Sequence, residues 1–246
     1  MPRRDRTPVM LLLILFPLVC WAWIVVMARD MYGPMTGASA WMMTPRWDAP
    51  HLVLLGAMWA VMMTGMMLPS AGPMILLAAD TGQSRGHQSY LLALGYLVVW
   101  ALFSIGATAL QWGLTRLFLL TPMMEVSSRR VGGVCLIVAG VYQWTPWKHA
   151  CLTACQSPLA FLMRRWRRGA WGAFRMGVEH GAYCVGCCWA LMLLLFAGGV
   201  MNLTVIAALT AFVAFEKLAP VAVWSTRVSG GLLIATAAWM ILRGGV

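Results

Sequence analysis

The residues best able to do chemistry lie in one segment, EHGAYCVGCCWA, which holds Glu179, His180, Cys184, Cys187 and Cys188. At about 100° per residue, His180, Cys184 and Cys187 fall within roughly 60° of one another on a helix, with Met176 one turn earlier on the same stripe. One face then presents nitrogen and sulfur, the donors that suit soft and borderline metals. A straight helix limits them. At about 1.5 Å per residue His180 and Cys187 are roughly 10 Å apart, against metal–sulfur bonds of about 2.3 Å, so neighbouring pairs can chelate one ion and the full set cannot. The segment before it, KHACLTACQSP, adds His149, Cys151 and Cys155. Cys151 and Cys155 are four apart and share a face if the stretch is helical; His149 joins them if it is not.

Bland accounts stand beside these. A free cysteine also serves as a small hydrophobe on buried helix faces. Cys184-Val-Gly-Cys187 has CxxC spacing, which admits thiol–disulfide exchange with Cys151/Cys155 and Cys184/Cys187 as pairs, although the adjacent Cys188 and an intramembrane helix suit it poorly. Glu179, Glu216 and Lys217 are ionisable groups inside apolar runs, where charge is expensive. Either they support a metal site or take up protons, or Glu179 meets the Glu216/Lys217 pair and fixes the packing of two helices.

Methionine is abundant: of 20, ten lie between Met31 and Met74. Thioethers are soft ligands that need no deprotonation and favour Cu(I), and they are also adaptable packing filler. Met58, Met62 and Met66 form one helical stripe, a candidate metal path; Met63, Met67 and Met74 form another on roughly the opposite side, and the preceding loop adds Met31, Met35, Met42 and Met43. Pro69 and Pro73 are expected to kink or interrupt this helix.

The elements that must position these residues follow from composition. Of 246 residues 61% are hydrophobic and 10% charged, with mean hydropathy +0.78, whereas a soluble domain carries about 25% charged residues. An ordinary water-soluble enzyme is excluded, and the expected fold is an all-α polytopic membrane bundle, a single domain over 1–246. Apolar runs near 9–28, 51–76, 89–112, 131–147, 171–200, 203–223 and 228–242 predict six or seven crossings, the last one short and interrupted by Gly230-Gly231. The Met-rich loop and second span cover 31–76; the Cys/His-bearing loop and fifth span cover 148–200.

The net charge of +11 sits mainly at the ends of these runs, so it reads as headgroup contact and topology, not nucleic-acid binding. An amino terminus in the cytoplasm places ten basic residues on that side, Arg3, Arg4, Arg6, Arg85, Lys148, Arg164, Arg165, Arg167, Arg168 and Arg227, against six outside, Arg29, Arg46, Arg116, Arg129, Arg130 and Arg243. Trp residues cluster near span ends, as an interfacial belt requires. An odd count of seven cysteines rules out complete disulfide pairing. No nucleotide-binding glycine loop, HExxH helix, GxSxG elbow or CxxCH haem motif occurs, and no catalytic residue is assigned.

The segments AMWAVMMTGMMLPSAGPM, YQWTPWKHACLTACQSPLAF, GVEHGAYCVGCCWALMLLLFAGGVMNL and FEKLAP, in that order, resemble a bacterial family of unknown function described as metal-binding integral membrane proteins, some of whose members are labelled copper chaperones. The resemblance implies a six- or seven-helix membrane protein that binds a metal through His149, Cys151, Cys155, His180, Cys184, Cys187 and Cys188, with Glu179 and Glu216 as supports. The function expected is binding or handing on of a soft metal at the bacterial inner membrane, Cu(I) first and zinc second, with a metal-donor or metal-acceptor protein or a membrane complex as partner. A membrane thiol–disulfide oxidoreductase and an assembly subunit of a membrane complex are the competing expectations.

Overall fold

The computed structural model describes residues 6–33, 47–80, 87–121, 124–219 and 222–243. Met35, Met42 and Met43 of the Met-rich loop, and Arg3, Arg4, Arg46 and Arg85 of the topology argument, lie outside the described residues. The architecture is all-helical, with no strand among the described residues. In chain order the helices are α1 (Arg6–Met31), α2 (Ala49–Asp80), α3 (His87–Arg116), α4 (Arg129–Gln143), α5 (Pro146–Gln156), α6 (Pro158–Arg165), α7 (Gly169–Met192), α8 (Leu194–Gly198), α9 (Leu203–Leu218) and α10 (Ala222–Arg243).

Among the described residues five segments are long and apolar enough to cross a membrane: Thr7–Met31, Ala49–Ala79, His87–Arg116, Gly169–Gly198 and Trp224–Arg243. The last is the run that looked partial in sequence; Gly230-Gly231 does not interrupt its helix, which is 22 residues long. Two runs that read as crossings are shorter than expected. The stretch 131–147 divides because Thr145 caps α5, its side chain accepting from the Lys148 N–H at 3.3 Å, with Pro146 at the first helical turn. That leaves α4 with 15 residues. The stretch 203–223 stops at Leu218 with Pro220 close behind, leaving α9 with 16 residues.

The prolines of α2 do not break it: the helix runs for 32 residues with Pro69 and Pro73 inside. Pro69 has no N–H to give the Gly65 carbonyl one turn earlier, and Trp21 of α1 supplies the missing bond, its Nε1–H donating to that oxygen at 3.2 Å. Gly65 also admits α1 closely, since a Cβ there would lie 3.1 Å from Cys20 Cβ.

Two helix pairs approach through glycine. On α3 and α7, Gly95 faces the backbone of Phe174 and Gly177 faces the backbone of Leu92, so closely that a Cβ at either would overlap it. On α4 and α10, a Cβ at Gly140 would lie 2.9 Å from the Gly230 carbonyl, and the reverse distance is the same. Small residues at such crossings let dispersion act between whole backbones. The α3–α7 contact brings Tyr96 of α3 against the cysteine-bearing face of α7.

Candidate metal centre

The centre is built on α7, whose stripe buries His180, Cys184, Cys187 and Cys188, none more than 3% exposed. α5 lies along this helix, so the loop carrying the other soft donors is folded into the bundle. Its helical geometry settles what spacing left open. Cys151 and Cys155 share one face, whereas His149, two residues from Cys151, turns away. Cys151 Sγ sits over Gly186, 2.7 Å from where a Cβ would be; Cys155 neighbours Cys187. Burial, and after it the neighbouring Cys187, push the Cys151 thiol up from its ordinary pKa. His149 instead lines a surface hollow with Trp144, Pro146 and Arg227.

On α7 the Cys187 and Cys188 thiols donate to the Cys184 carbonyl at 3.1 and 2.8 Å. Cys184 Sγ receives the Lys217 ammonium of α9 at 2.9 Å and lies 3.0 Å from the Tyr96 hydroxyl of α3. Lys217 also donates to Ser70 Oγ at 3.0 Å and lies 3.9 Å from Met67 Sδ, both on α2, whose Met67 carbonyl accepts from the Tyr96 hydroxyl at 2.9 Å. Helices α2, α3, α5, α7 and α9 therefore converge on one sulfur-rich chamber.

A family model described as copper chaperone matches residues 56–240. The chain belongs to the copper chaperone family. No curated protein and no solved structure matches the chain. Membership gives the protein a copper-related role, and the matched span includes every element of the chamber.

The donor chemistry fits copper. Four thiols gather from two helices, and the buried Nδ1 of His180, packed between the rings of Tyr96 and Phe161, has no hydrogen-bond partner among the described residues. Among the described residues, however, no three His, Cys, Asp or Glu side chains are already disposed around a common point. The Cys187 and Cys188 thiols point instead at the Cys184 carbonyl.

The acidic residues are placed otherwise than spacing suggested. Glu179 does not meet Glu216 or Lys217; it faces Arg167 at 2.8 Å, Arg165 at 3.6 Å and Arg175 at 3.7 Å, partly exposed. Glu216 pairs with Lys148 at 2.7 Å and accepts from Gln143 at 3.0 Å, while its backbone carbonyl accepts from Gln156 at 2.6 Å. Lys148, Tyr96 and Ser70 escaped the sequence reading, Lys148 because it was counted as a loop charge. The signal for Tyr96 was a hydroxyl in mid-span, which must find a partner in a membrane.

Met58, Met62 and Met66 are fully buried, and so are Met63 and Met67 on the opposite stripe. The two stripes are equally enclosed because α2 packs against α1, α3, α6 and α9. The methionine that reaches the chamber is Met67, which belongs to the second stripe.

Proposed function

We propose that this protein is a multi-pass membrane copper chaperone that accepts Cu(I) on its cysteine chamber and hands it to an acceptor. The observation carrying this reading is the convergence of half-buried Cys155 of α5 with the buried Cys184, Cys187 and Cys188 of α7. Thiolates select Cu(I), and burial keeps such a complex from water and oxidant. Cys151 and His180 border the same chamber and are the next ligands to be recruited; His149 serves at the surface, as a point of exchange with a partner. Zinc is the second choice of metal.

The chain acts as a single membrane domain. The shorter helices α4 and α9 run beside the five long ones to make six or seven crossings of a bacterial inner membrane, with the amino terminus in the cytoplasm. Methionines of the outer loop and of α2, including Met58, Met62 and Met66, capture copper weakly, and the thiols hold it tightly, so affinity rises inward. Glu216 acts by fixing α9, and Glu179 by ordering the arginines of the connection.

Elemental analysis of protein purified anaerobically in detergent tests this, against a variant with Cys151, Cys155, Cys184 and Cys187 all changed to serine. About one copper per chain in the parent, absent from the variant, supports the reading; a parent that stays empty when Cu(I) is offered defeats it. The proximity of Cys155 and Cys187 also favours a second reading, in which these two, in place of the pairs Cys151/Cys155 and Cys184/Cys187, form a disulfide by exchange with the disulfide of a partner protein, which leaves as a dithiol. Mass shifts on thiol trapping after mild oxidation, with no metal required, would bring it forward.

A further inference from the structure

Lys217 is a buried ammonium whose partners are a thiol, a hydroxyl and a thioether, Cys184 Sγ at 2.9 Å, Ser70 Oγ at 3.0 Å and Met67 Sδ at 3.9 Å. No carboxylate pairs with it among the described residues. The carboxylate next to it in sequence, Glu216, is engaged by Lys148 and Gln143, and Glu179 is engaged by arginines. A cation this deep, 6% exposed, is costly without an anion beside it. Neutral thiol, hydroxyl and thioether dipoles offset only part of that cost.

We infer that Lys217 is the residue that sets the metal preference of the chamber, its fixed positive charge balancing the single negative charge of a Cu(I) bis-thiolate. The inference rests on the copper reading above and names what regulates the same site. When Cu(I) binds two thiols, each thiol gives up its proton to solvent and the complex carries a net charge of minus one. With the ammonium alongside, the chamber becomes neutral. Zinc carries one charge more, so on the same two thiolates it makes a neutral complex and leaves Lys217 uncompensated in a low-dielectric space. The ammonium thus stabilises the complex of the monovalent ion and gives the neutral complex of the divalent one no such gain, so a single side chain sets the preference. Ser70 and Tyr96 position the pair: Ser70 holds the ammonium, and Tyr96 holds the Cys184 sulfur that faces it.

The test uses the full chain in detergent, without oxygen. Cu(I) affinity is read by competition with a chromophoric Cu(I) chelator and Zn(II) affinity by competition with a zinc indicator, for the parent, Lys217→Met, Lys217→Arg and the double variant Cys184→Ser/Cys187→Ser. Lys217→Met is expected to weaken Cu(I) about a hundredfold, the range for truncating one partner of a buried charge pair, while Zn(II) binding holds or tightens. Lys217→Arg keeps Cu(I) within a few-fold. Unchanged Cu(I) binding in Lys217→Met, or equal loss of both metals, overturns the inference and leaves the copper reading standing. A parent that binds no Cu(I) removes the copper reading and the inference with it; a double-serine variant that binds it like the parent overturns the inference, because the thiol facing Lys217 is then no ligand, and leaves the copper reading to the remaining thiols. Should Lys217→Met fail to elute as a folded monodisperse species, Ser70→Ala decides: a several-fold loss of Cu(I) with Zn(II) unchanged supports the inference, and unchanged Cu(I) overturns it.

Discussion

Two lysines, Lys148 and Lys217, are buried within one bundle and are treated in opposite ways. Lys148, wholly enclosed, meets a carboxylate at 2.7 Å, and that carboxylate is in turn held by Gln143. Lys217 meets sulfur and hydroxyl and no carboxylate among the described residues. The contrast is sharpest because Glu216 and Lys217 are consecutive: adjacent residues of α9 point to different partners and divide the work. A closed ion pair of full charges is strong only while both members remain, and has no reason to exchange. An ammonium among soft neutral groups can exchange partners as an anion forms beside it. The first arrangement suits a clamp and the second suits a binding site.

The comparison can be broken most forcefully at the clamp. Glu216→Gln should leave the Lys148 charge buried and alone, lowering stability by about 3–5 kcal/mol, seen as a large drop in thermal unfolding temperature in detergent. Replacing both members, Lys148→Met with Glu216→Leu, should recover most of that loss. A single variant that unfolds like the parent would show that the pair does not hold α5 to α9.

Lys217→Met should cost little or no stability in the metal-free protein, because it removes a buried charge that no carboxylate among the described residues compensates and leaves only neutral groups behind, while its Cu(I) binding collapses. Equal melting losses for Lys217→Met and Glu216→Gln would erase the distinction between clamp and site. Tyr96→Phe removes the hydroxyl that bonds the Met67 carbonyl and faces Cys184, and should cost about 1 kcal/mol or slightly less, with Cu(I) affinity reduced several-fold in chelator competition. The smallest effect is expected at the surface. Arg167→Ala deletes a partly exposed ion pair with Glu179, worth at most about 1 kcal/mol and fading as salt is added; a loss that persists in high salt would make Glu179 a deeper determinant than its exposure indicates.

How far the sequence led differs between these regions for a physical reason. Helical periodicity puts Cys184, Cys187 and His180 on one stripe, because such a relation is local, but it shares a face between Cys151 and Cys155 only if their stretch is helical, and that condition took the structure to settle. The breaks at Thr145-Pro146 and before Pro220 were also written locally, as a cap and a helix stop, but the apolar runs around them outweighed those signals. The partners of Lys217 were not legible. Ser70 and Met67 are 147 and 150 residues away, and the packing of α9 against α2 brings them together, while the α3–α7 crossing at Gly95 and Gly177 puts Tyr96 beside Cys184. For the same reason Glu179, which looked level with Lys217 along the chain, met arginines of its own connection instead.

The bond from Trp21 to the Gly65 carbonyl makes the continuity of one helix a property of two. Pro69 leaves that oxygen without its donor inside α2, and an unmet carbonyl in apolar surroundings is costly. The donor comes from α1, so the gap that a proline opens in one helix is closed by a side chain of its neighbour. The unbroken run of the methionine helix through its prolines is thereby tied to its seat against α1.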